Sequence, residues 1–83
     1  MAAVMIVDDD PALLELLTDY LERLGHRVVG VADGQQAGRV FVDVSPDIVL
    51  LDVTMPGLDG WQVLGSLRAA SQVPVIMLTA RGD

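Results

Sequence analysis

The 83-residue chain contains no cysteine and no lysine. Without cysteine, neither a disulfide framework nor a thiolate metal site is available. Without lysine, five arginines stand against twelve acids and the net charge is −7. Such a chain offers little to nucleic-acid phosphates, so direct DNA or RNA binding by this segment is not expected. Hydrophobic residues make up 52% of the chain, yet no apolar run approaches the roughly 20 residues that cross a bilayer. The opening MAAVMIVDDD lacks a basic region and meets three acids too soon for a signal peptide. Repeats and low-complexity linkers are also missing. The expectation is one cytoplasmic domain without a membrane partner, small enough to bury only about 60% of its unfolded surface.

What is present alternates between two patterns. Residues 4–7 (VMIV) form a short apolar run that stops at Asp8. Pro11 suits a first helical position with Asp10 before it as N-cap, and Leu13, Leu17, Leu21 and Leu24 recur at helical spacing. Leu14, Leu16 and Tyr20 broaden that stripe, and Gly25 stops the helix. Residues 27–32 read as a second strand. Asp33 and Gly34 open a second helix carrying Ala37, Val40, Phe41 and Val44, which Ser45 and Pro46 break. Residues 47–53 make a third strand, Asp59 can cap a third helix with Val63, Leu64 and Leu67, and residues 73–80 make a fourth strand. Strands written as continuous apolar runs belong to a parallel sheet covered on both faces. The expected fold class is α/β, a doubly wound parallel sheet.

In such sheets, ligands bind beyond the carboxyl ends of the strands. The ends of strands one, three and four carry Asp8–Asp9–Asp10, Asp52 and Thr79 respectively. Taken singly, each acid reads as a solvated strand-end residue. Their coincidence on one rim favours a site. Clustered carboxylates repel one another, and they either protonate or recruit a cation. With the only histidine, His26, at the far end of helix one, the ligand set is all oxygen, which suits Mg²⁺ or Mn²⁺. A phosphoryl group is the natural third party: Asp52 would be the nucleophile and Thr79 a hydrogen-bond donor to a phosphoryl oxygen. Asp10 and Asp59 read as caps, and Asp33 and Asp47 as ordinary surface or strand-end acids. Trp61 is expected to be partly buried, and His26 to lie at the surface.

Three segments, IVDDDPALL, IVLLDVTMPGLDG and VPVIMLTAR, resemble the receiver domain of two-component response regulators, in that family's order and spacing. The resemblance implies a flavodoxin-like (βα)5 fold with strand order 2-1-3-4-5. It implies that Asp52 accepts a phosphoryl group from a sensor histidine kinase. Asp8 and Asp9 would hold Mg²⁺ with Asp52 and the backbone carbonyl of Thr54. Thr79 would be the switch hydroxyl, and Ala80 the small residue beside it. Such a domain is a signalling switch with autocatalytic phosphotransfer, not a metabolic enzyme. Its output is expected to be transcription regulation through a DNA-binding domain, and a second copy of itself is a further candidate partner.

The family pattern also implies parts that the sequence does not supply. Residues 1–83 are expected to form a receiver fragment running from strand one to strand four, in order 2-1-3-4. They would lack helix four, strand five, helix five and any output domain. The family's strand-five lysine has no counterpart, since the chain has none. Two alternatives are a non-phosphorylatable receiver-like interaction module and an aspartyl-phosphate phosphohydrolase. The second needs an acid two residues beyond the nucleophile, where this chain has Thr54.

Overall fold

The computed structural model describes residues 1–52 and 60–78. Four strands, β1 (Ala3–Val7), β2 (Arg27–Val31), β3 (Ile48–Asp52) and β4 (Val75–Leu78), form one parallel sheet in the order β2-β1-β3-β4. Between them run α1 (Pro11–Arg23), α2 (Ala37–Val44) and α3 (Gly60–Ala70). The element order and strand order agree with the sequence-based expectation. β2 ends one residue sooner than expected, and β3 and β4 begin one and two residues later. The second helix also opens differently: Gly34–Gln36 form a 3-10 turn before α2 begins.

Local chemistry explains the helix boundaries. Asp10 is the N-cap of α1, its carboxylate accepting from the amides of Ala12 and Leu13, and Pro11 takes the first helical position, where no amide hydrogen is needed. The helix closes as the Gly25 amide donates to the Glu22 carbonyl and the His26 amide to that of Leu21. This closure needs a left-handed residue, and Gly25 supplies it at φ 93°. α2 ends on a left-handed residue too, but there it is Ser45, at φ 50°.

Strand alternation sorts the sheet into two faces. Met5, Val7, Val31, Val49 and Leu51 point to one side, where they form a single buried cluster with Ala37, Val63, Leu67 and Val73. Val29, Val40, Phe41, Leu64, Val75 and Met77 complete it at the edges. This is the face under α2 and α3. Val4, Ile6, Ile48, Leu50 and Ile76 point the other way, towards α1. Gly30 in β2 marks where that helix lies, since a side chain there would meet Leu14 at 3.5 Å.

Several burial expectations are corrected. No residue of α1 is buried, and Leu16, Tyr20 and Leu24 of its broad apolar stripe are exposed. Trp61 is 63% exposed, not partly buried, because its position in the first turn of α3 is off the Val63–Leu67 stripe that meets the core. His26 is half-buried and accepts a hydrogen bond at Nδ1 from the Ala2 amide at 3.1 Å. Asp47 is more than a strand-end acid, because its carboxylate receives the Ala3 amide at 2.7 Å.

Candidate functional site

β1 and β3 are neighbours in the sheet, and Val7 lies opposite Leu51. One residue further on, Asp8 therefore comes level with Asp52, the last residue of β3. Asp8 is fixed there by its own amide, which donates to the Val31 carbonyl of β2 at 3.0 Å. Asp9 follows before α1 begins. The result is a cluster in which carboxylate oxygens of Asp8, Asp9 and Asp52 all lie within 4.8 Å of one another. Asp8 and Asp52 are each only 2% exposed, whereas Asp9 faces solvent.

Two buried carboxylates side by side are an unusual arrangement, since burial and like charge both oppose ionisation. The strain shows at Asp8. Burial pushes its carboxyl above the usual carboxylate range, and the charges of Asp52, Asp9 and Asp10 add to the rise. One contact opposes them: the Asp10 amide donates to Asp8 Oδ1 at 2.9 Å and favours the ionised form. Asp10 also caps α1 as expected, but this second function of its backbone is not visible in a linear sequence.

The donor set fits a hard divalent cation. It offers three carboxylates within a few ångströms, one of them open to water, and Mg²⁺ commonly binds one or two carboxylates while keeping several waters. A cation there would also offset the repulsion that raises the Asp8 carboxyl. Of the other residues singled out from the sequence, Thr54, Asp59, Thr79 and Ala80 lie outside the described residues. Asp33 caps the 3-10 turn through the Gln35 amide and takes no part in the cluster.

The sheet order and the helices on both faces define a doubly wound domain, with the acidic cluster at the carboxyl ends of its two central strands. The chain belongs to the response regulator receiver domain family, whose profile matches residues 4–83. Among curated proteins, it is 45% identical over 80 residues to a probable transcriptional regulator, ycf27, of Guillardia theta. It is also 45% identical over 80 residues to the DNA-binding response regulator MtrA of Mycolicibacterium smegmatis. Each match takes in 96% of this chain but only 32% and 35% of those proteins, so the chain spans about a third of their length. Among solved structures, the BeF3-activated receiver domain of Klebsiella pneumoniae RstA superposes with a TM-score of 0.92 at 34% identity, over 98% of this chain and 69% of that one. The Thermotoga maritima response regulator TrrA, solved in complex with Mg²⁺ and BeF, gives 0.90 at 34%, over 99% and 72%. Among the described residues, no helix is long and apolar enough to cross a membrane.

Proposed function

We propose that Asp52 is the phosphoacceptor of a two-component receiver, and that Asp8 and Asp9 hold Mg²⁺ beside it. The observation that carries this reading is the convergence of three carboxylates on the rim, with Asp52 buried at the end of a central strand. In the reaction, an Asp52 carboxylate oxygen attacks the phosphorus of a phosphohistidine on a sensor kinase. The P–N bond breaks, an acyl phosphate forms, and the imidazole leaves and is protonated. β3 holds the nucleophile rigidly, so little orientation is left to be lost at the transition state. Bound Mg²⁺ would supply neutralisation of charge on the phosphoryl oxygens.

The Thr54 carbonyl completes the cation's protein ligands in this reading. The Thr79 hydroxyl is the switch that turns towards the phosphoryl group, with Ala80 leaving room for the donor. The new charge on Asp52 biases the domain between two surfaces. Its output is transcription control by a DNA-binding domain, as the names of the curated relatives suggest. The acidic balance supports a segment that does not itself contact DNA; in this reading it acts in the cytoplasm, with the kinase and a second receiver as partners.

Intact-mass measurement after incubation with acetyl phosphate and Mg²⁺ tests the assignment. A single phosphoryl adduct is expected, absent from Asp52→Asn and from an EDTA-treated sample. An adduct retained by Asp52→Asn would move the acceptor elsewhere, and no adduct on the unaltered chain would remove the phosphotransfer reading altogether.

A further inference from the structure

Asp10 is held at three points. Its carboxylate accepts from the amides of Ala12 at 3.0 Å and Leu13 at 3.4 Å, and its carbonyl accepts from the Leu14 amide at 3.0 Å. These contacts fix it at φ −89° and ψ 106°, outside the helix it starts. In that pose its remaining backbone group, the N–H, points at Asp8 Oδ1 at 2.9 Å. A cap side chain on one side of the residue thus sets the direction of a hydrogen-bond donor on the other.

We infer that Asp10 is a positioning residue for the cation site: its cap fixes the amide that aims the Asp8 carboxylate. The inference rests on the site proposed above and adds a residue that touches neither the cation nor the phosphoryl group. Asp8 has two side-chain torsions, and a free carboxylate would have to be ordered on every binding event. The Asp10 amide does that ordering in advance. Groups that orient a metal ligand commonly alter metal affinity by about 10- to 100-fold when removed.

The cap function and the negative charge of Asp10 can be separated. Asp10→Ser keeps a capping oxygen and drops the charge. Asp10→Gly drops both and frees the backbone, yet glycine is well tolerated at an N-cap, so the fold should persist. Mg²⁺ affinity would be measured by calorimetry on the full chain, each variant first shown to be folded by circular dichroism. The expected result is that Asp10→Gly binds Mg²⁺ about tenfold more weakly than Asp10→Ser. In an Asp8→Ala background, the Ser and Gly variants should bind alike.

Equal affinities of Ser and Gly with Asp8 intact would reduce the role of Asp10 to its charge and overturn the inference. A Ser–Gly gap that survives Asp8→Ala would overturn it too, because the effect would not pass through Asp8. If the unaltered chain binds no Mg²⁺, the cation site itself fails and the positioning inference falls with it. Binding by the unaltered chain with no Ser–Gly gap removes the positioning inference alone.

Discussion

The two faces of the sheet are covered unequally. Under α2 and α3, Met5, Val7, Val49 and Leu51 are sealed into one cluster. On the opposite face, Val4 and Ile6 of the central β1 are buried too, but α1 contributes no buried residue and Ile76 of β4 is 49% exposed. A helix is about 10 Å across, and neighbouring strands are about 4.8 Å apart. Two helices therefore cover four strands, while one covers about two. Apolar spacing along α1 shows which of its sides could be buried, not how much covers it. Equally hydrophobic stretches of one sequence thus carry different energetic weight.

That comparison can be broken or sharpened by substitution. The largest effect belongs to the sealed face: Leu51→Ala should lose about 3–4 kcal/mol in urea unfolding, much of a small domain's total stability. On the open face, Ile76→Ala should lose only about 1 kcal/mol, because about half of the side chain already meets water. A loss equal to that of Leu51→Ala would mean that something covers this face in solution. Ser45→Gly should stabilise the end of α2 by about 0.5–1 kcal/mol, relieving an exposed left-handed serine at the close of a helix that covers the sealed face. Leu16→Ala on the exposed side of α1 should stay within about 0.5 kcal/mol.

The rim where the faces meet is tested by the sign of an effect. The Asp8 carboxyl titrates above its unfolded value, so the folded state binds its proton more tightly. The stability linked to this group is therefore fully present below the unfolded pKa and is lost as pH rises through the raised folded value. In EDTA, Asp8→Asn should be more stable than the unaltered chain at neutral pH, and the advantage should shrink as pH falls through the acidic range. Saturating Mg²⁺ should reverse the order, because only the carboxylate gains from the cation.

Much of the architecture was legible in the sequence, since unbroken apolar runs separated by helical stripes specify a parallel sheet. The rim was legible as well, since Asp8, Asp9 and Asp52 follow such runs. The unequal burial of those acids was not, because it depends on the register that sets Val7 beside Leu51. Trp61 and His26 were misjudged for a related reason: residue type gives a propensity for burial, whereas the packing of the neighbouring elements decides it. The amide link from Asp10 to Asp8 left no trace in residue type at all, because any residue but proline has that N–H.

The pairing of β1 with β3 also constrains time. Asp8 and Asp52 are 44 residues apart (52 − 8), and β2, which lies between them in sequence, pairs on the other side of β1. Of the three clustered carboxylates, only those of Asp8 and Asp9 are neighbours in the unfolded chain. The third carboxylate arrives after a long loop has closed, a step whose entropic cost must be met before any contact rewards it. Mg²⁺ should therefore leave the refolding rate nearly unchanged and act on the unfolding rate, as a clasp fastened only after the central strands have met.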